Sequence, residues 1–213
     1  MKVIVTWATW YVWEGVLLEC ITNPEVEKVL SVSRKPCGHK SKKLEEYIVK
    51  DFMDLPENDP KLKDYDAVFF CAWISSVGVS DDVYKVISHD IPLHFAKAFW
   101  VNKNKTYIYV SWAWTGTSKQ NRWKVKRSTE EELQKLSFKQ VFLFRPGIMI
   151  PTKWQKHFTN FWAKSYRYFS WFWRLFKWFT NEMYQVWRSM INVTKDWYKT
   201  PYIEVKDIHE LSN

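Results

Sequence analysis

Short, continuously apolar runs alternate with helix-patterned stretches along most of this chain, and no other feature restricts its possible folds so much. Lys2 to Thr6 is rich in β-branched residues and leads into a turn, after which Val16, Leu17 and Cys20 recur at helical spacing until Asn23 and Pro24. Val29 to Ser33, Tyr47 to Val49, Ala67 to Ala72, Thr106 to Ser111 and Gln140 to Phe144 read as further strands. Val83 to Ala98 reads as a helix and Thr129 to Leu136 as part of another. Strands without polar alternation are buried on both faces, and strands separated by helices are joined by right-handed crossovers. The chain is therefore expected to be α/β, a doubly wound parallel sheet with helices on both faces. Its 213 residues suit one domain, 1–213.

The excess of 32 Lys and Arg over 23 Asp and Glu gives a net charge of +9, which suits an anionic ligand such as a nucleotide, a nucleic acid or an acidic membrane. Cys20, Cys37 and Cys71 have no paired spacing, which argues for a reducing compartment and a cytoplasmic protein. His39, His89, His94, His157 and His209 show no ligand spacing, so no metal is expected. The apolar start resembles a secretory leader, but Glu14 interrupts it and no clean cleavage site follows. Nowhere do about 18 uncharged apolar residues run together, so no membrane span is expected.

From Lys153 to Arg188 aromatic and basic residues crowd together. Phe158, Phe161, Ser165, Phe169, Phe172, Phe176, Phe179 and Met183 follow helical spacing, which predicts a small aromatic-rich helical segment over 153–188. The tail from Pro201 is expected to be a short polar helix or coil.

The chain has 15 Trp and 5 Gly, although ordinary chains carry about 7 % Gly and wound α/β folds use glycine where strands turn into helices. Thr6-Trp7-Ala8-Thr9-Trp10-Tyr11-Val12-Trp13 joins the first strand to the first helix. Its tryptophans keep the spacing of a Gly-x-x-Gly-x-x-Gly phosphate loop. Asp66 to Trp73, Tyr109-Val110-Ser111-Trp112-Ala113-Trp114, Val125 to Glu130 and Phe144-Arg145-Pro146-Gly147 follow in order. On these segments the chain resembles the atypical short-chain dehydrogenase/reductase family, a Rossmann fold, in its NAD(P)-binding, epimerase/dehydratase-like branch. The resemblance implies glycine where Trp7, Trp10, Trp13, Trp73, Trp112, Trp187 and Trp197 stand, and at Trp114 and Trp154 too. It reads as replacement of small residues by Trp on a natural scaffold.

The resemblance also implies a cofactor site. It would take Thr6, Trp7, Thr9, Trp10, Tyr11, Val12 and Trp13 from the loop, and Ser33, Arg34 and Lys35 from the end of the second strand. Asp51 and Phe52 would flank the adenine, with Cys71, Ala72 and Trp73 at the end of the fourth strand and Lys126 beyond. Arg34 and Lys35 stand where an NAD-specific site places a carboxylate, which favours NADP, with a solvated basic turn as the equal alternative. Asp51 also suits a plain turn former, and Cys71 a buried core thiol. Ser111 and Lys126 would be vestigial catalytic residues. The Tyr that usually precedes the Lys by four positions, and whose phenol acts as acid or base, is Arg122 here, with Trp123 beside it. Tyr107 and Tyr109 lie earlier on the strand and are poor substitutes.

In a working loop the first glycine makes the turn, the second lets backbone N–H groups reach the pyrophosphate and the third lets helix pack on strand. An indole at Trp10 would fill the phosphate volume, and Trp in place of a positive-φ glycine adds about 1–3 kcal/mol of strain. A buried aromatic core is the ordinary reading of such a cluster, but Val16, Leu17 and Cys20 already supply the core stripe.

The first expectation is therefore a scaffold of an NADP-dependent oxidoreductase or epimerase that cannot bind its dinucleotide and is inactive. The second is a working enzyme of the same family whose loop turns the indoles outward. The third is a membrane-surface or interaction module using the aromatic, basic helix of 153–188, which in relatives covers the substrate side. No nucleic acid is expected, because basic residues do not interleave with the tryptophan cluster. A small-molecule substrate is implied, with contacts from the segment after Gly147.

Overall fold

The computed structural model describes residues 1–8, 11–71, 74, 78–113, 115–118, 120–150 and 178–212. In chain order the elements are β1 Lys2–Thr6, α1 Tyr11–Thr22, β2 Lys28–Ser33, β3 Leu44–Ile48, β4 Ala67–Phe70, α2 Asp81–Lys85, a π-helical turn Val86–Asp90 and α3 Ile91–Ala98. They continue with β5 Thr106–Val110, α4 Asn121–Gln134, β6 Gln140–Arg145, β7 Ile148–Ile150, β8 Thr180–Glu182, α5 Met183–Asp196, β9 Tyr202–Glu204 and α6 Val205–Leu211.

Seven strands form one sheet in the order β3-β2-β1-β4-β5-β6-β9, with every pair parallel. The order reverses between β1 and β4, and in such sheets the crevice at that switch point, beyond the carboxyl ends of the strands, is where ligands bind. Side chains alternate across the sheet as the strand period of two demands. Val3, Val5, Phe69 and Ile108 pack against Leu17 of α1, Met190 of α5 and Ile208 of α6. Ile4, Val68, Phe70 and Tyr107 pack on the other face against Phe95 of α3 and Leu133 of α4. Covering both faces explains the unbroken apolar runs.

The elements depart from expectation where they are short or polar. The third strand begins at Leu44, and its exposed Glu45 and Glu46 hid it. The tail contains β9, which extends the sheet beside β6 through the register Leu143–Tyr202, Phe144–Ile203 and Arg145–Glu204. The helical stripe expected through Phe179 and Met183 is broken, because Thr180, Asn181 and Glu182 pair with Ile148, Met149 and Ile150. Helix α5 starts only after them, closed by a capping box between Glu182 and Gln185. Residues 151–177, the bulk of the aromatic segment, lie outside the described residues. Among the described residues no helix is long and apolar enough to cross a membrane.

Candidate functional site

The carboxyl ends of β1, β2 and β4 are tied together at the switch point. Thr6 is buried, and its Oγ1 accepts a hydrogen bond from the Cys71 backbone N–H at 2.9 Å, while the Trp7 N–H donates to the Val32 carbonyl at 3.1 Å. Cys71 is the core thiol expected, fully buried and pushed well above the ordinary thiol pKa by that burial.

Trp7 leaves β1 with φ 56°, the left-handed region that side chains other than glycine rarely adopt. Its indole stacks on Phe52, with ring centroids 4.0 Å apart and planes 22° apart, and meets Phe70 edge-on at 6.0 Å. A cleft of about 290 Å³ opens beside it, lined by Trp7, Arg34, Lys50, Asp51, Phe52 and Ile87 among others. Arg34, Lys35 and Lys50 are exposed and Ser33 is buried. The Asp51 side chain accepts from the Met53 N–H at 2.9 Å and caps the turn Phe52–Asp54, so it is the turn former allowed for and also borders the cleft. Lys50 escaped the sequence reading because nothing in its local pattern distinguishes it.

Trp13 overturns one expectation. It is 1 % exposed and sits in the core with Val16, Leu17 and Cys20 rather than outside their stripe. Its Nε1 is buried and meets no acceptor among the described residues, a loss that costs about 1–3 kcal/mol. Thr9, Trp10, Ala72, Trp73 and Trp114 lie outside the described residues, as do the side chains of Tyr11 and Val12.

Further tryptophans carry the same marks of poor fit. Trp100 and Trp197 both have φ 63°. Trp197 adds ψ 164°, a combination essentially restricted to glycine and worth about 1–3 kcal/mol of strain. The Trp187 ring crowds α1, so close that a Cβ on Gly15 would stand 1.8 Å from its Cη2, and its own Nε1 is also buried without an acceptor among the described residues. Trp100, which the sequence reading missed, takes the position after the last turn of α3, where glycine commonly ends a helix.

Ser111 and Lys126, expected as vestigial catalytic residues, make other contacts. Ser111 is fully buried, and its Oγ donates to Glu130 Oε1 at 2.5 Å, facing α4 rather than the cleft. Glu130 is in turn held by Arg145, whose Nε lies 3.0 Å away, and Arg145 reaches Glu204 on β9 at 3.0 Å. Burial works against the Arg145 charge, but the hydrogen bonds it donates to Glu130 and Glu204 outweigh it and raise its pKa above the ordinary value. Lys126, one helical turn before Glu130, is buried with Nζ 5.7 Å from the centre of the Tyr109 ring. Burial lowers its pKa to about 8, against the opposing pull of Glu130.

Arg122, which the resemblance puts in the place of the usual Tyr, reaches Asp81 at 3.0 Å and the Val79 carbonyl at 2.6 Å. Tyr107 and Tyr109 donate to the carbonyls of Pro92 and Ser88, each at 2.9 Å, so both phenols fasten sheet to helix layer. The Ser111–Glu130–Arg145–Glu204 chain was missed because its members come from β5, α4, β6 and β9 and share no local motif.

Comparison with solved structures bears on this strand order and its helix-covered parallel sheet. An aldohexose dehydrogenase from Thermoplasma acidophilum, solved without ligand, superposes with a TM-score of 0.68 at 11 % identity, over 97 % of this chain and 93 % of that one. The chain has a Rossmann-like fold. A short-chain dehydrogenase family protein from Francisella tularensis shares the Rossmann fold with a TM-score of 0.54 at 13 % identity, over 70 % of this chain and 69 % of that one. MoeE5, solved with UDP-glucuronic acid and NAD, gives 0.60 at 16 % identity, over 77 % of this chain and 60 % of that one. No family model and no curated protein matches the sequence.

Proposed function

We propose that this chain is the scaffold of an NADP-dependent oxidoreductase or epimerase-like protein whose dinucleotide cleft is closed by its own indoles. The observation that carries the reading is the Trp7–Phe52 stack inside the switch-point crevice. The resemblance puts the adenine against Asp51 and Phe52, and the indole of Trp7 takes a face of Phe52 itself. Ligand clefts run to about 300–1,000 Å³; the 290 Å³ beside Trp7 suits a nucleobase and not a whole dinucleotide. Arg34 and Lys50 at its rim supply the charge that a 2′-phosphate needs. The residues present therefore do not fit the dinucleotide.

Chemistry is missing as well as space. A carbonyl substrate needs a proton donor within about 3 Å, and the Ser111 hydroxyl donates its hydrogen bond to Glu130 while Arg122 points to Asp81. The reading with the loop turned outward is disfavoured because Trp13 is buried in the core and Trp7 lies on Phe52. A cytoplasmic location and a small-molecule substrate are part of the proposal. The test is calorimetric titration of the folded chain with NADPH. No binding heat is expected, and micromolar affinity would overturn the closed-cleft reading.

A further inference from the structure

The misfits converge on one residue type. Among the described residues, four positions other than glycine have positive φ: Asn58, which tolerates that conformation, and the three tryptophans Trp7, Trp100 and Trp197. Trp197 combines φ 63° with ψ 164°, where a side chain is hardly ever found. Trp187 presses its ring onto Gly15 at a helix crossing, and the buried Nε1 atoms of Trp13 and Trp187 meet no acceptor among the described residues. At Trp100 the backbone alone speaks for glycine, since its Nε1 donates to the Asp59 carbonyl at 2.8 Å.

Independent substitutions of glycine would leave an assortment of residues, with Ala, Ser, Asn and Asp among them, and selection would remove the strained ones. Finding the largest side chain at three of those four positions requires one cause that acts on all three at once and bypasses selection on the folded chain. A codon with two meanings does this. UGA is read as Trp under some genetic codes and as Gly under others, so a single change of meaning exchanges the two residues throughout a sequence. The surplus of 15 Trp over 5 Gly has the direction such an exchange gives.

We propose that the polypeptide made in its source cell carries glycine at positions 7, 13, 100, 187 and 197, each encoded by UGA read as glycine. Trp123 is the internal control: it lies in α4, and its Nε1 donates to Gln120 Oε1 at 3.2 Å. That tryptophan belongs where it is. The inference stands on backbone geometry and packing, independently of the dinucleotide reading, and it implies that the natural chain lacks the Trp7 indole on Phe52.

The test is peptide mass spectrometry on the protein purified from its source cells, read beside the codons of its gene. The peptides spanning positions 7, 13, 100, 187 and 197 are expected to be lighter by the Trp-to-Gly difference at each site, with UGA at those codons. The peptide containing Trp123 is expected at full tryptophan mass with UGG. Tryptophan masses at 7, 100 and 197 would overturn the inference. If glycine is found and the natural chain still fails to bind NADPH, the recoding stands and the dinucleotide reading falls.

Discussion

Trp197 isolates the backbone cost of a tryptophan, because it is 60 % exposed and little burial is lost on removing it. With φ 63° and ψ 164°, Trp197→Gly is expected to stabilise the fold by about 1–3 kcal/mol. At about 2–4 °C per kcal/mol for a chain of this size, thermal denaturation should show a clear rise in Tm; an unchanged or lower Tm would remove the strain argument. The sequence reached Trp187 and Trp197 through the family pattern, but missed Trp100, whose meaning appears only once α3 is known to end at Ala98. Ser111 was legible as a position and not as a role, since its partner Glu130 lies 19 residues away on another element.

At the level of elements, α4 carries a buried lysine that gives the protein a pH signature. Burial lowers the Lys126 pKa from 10.5 to about 8, so the folded state holds this proton less tightly than the unfolded chain. Between those values the unfolded chain binds the proton and the folded one has released it, so stability rises with pH across that window, by up to about 3 kcal/mol. Lys126→Met should stabilise the protein below pH 8 and flatten the rise, as followed by urea denaturation at several pH values; a variant that keeps the wild-type slope would remove Lys126 as its source.

The crossing of α1 and α5 yields a second element-scale prediction. Gly15→Ala, with its Cβ 1.8 Å from the Trp187 ring, should cost about 1–3 kcal/mol or more of overpacking and very little in a Trp187→Gly background. Equal costs in both backgrounds, measured as a double-mutant cycle, would mean that the ring moves aside freely. Long apolar elements were legible because their pattern is their burial; β7, β8 and β9 have three residues each and owe their existence to partners far away in sequence.

For the molecule as a whole, the alternation of strands and helices was enough to imply a parallel sheet with both faces covered, and the strand order β3-β2-β1-β4-β5-β6-β9 puts the crevice at the β1–β4 reversal. The placement of the proposed site follows from that topology, and its proposed blockage from the Trp7 indole stacked on Phe52. The most direct measurement is the NADPH titration repeated on the Trp7→Gly, Trp10→Gly, Trp13→Gly variant, after circular dichroism has established that it is folded. Micromolar binding of NADPH, weaker for NADH, is expected, because removing the indoles opens a cleft bordered by Arg34 and Lys50. A folded variant that binds neither nucleotide would contradict the reading of this crevice as a dinucleotide site.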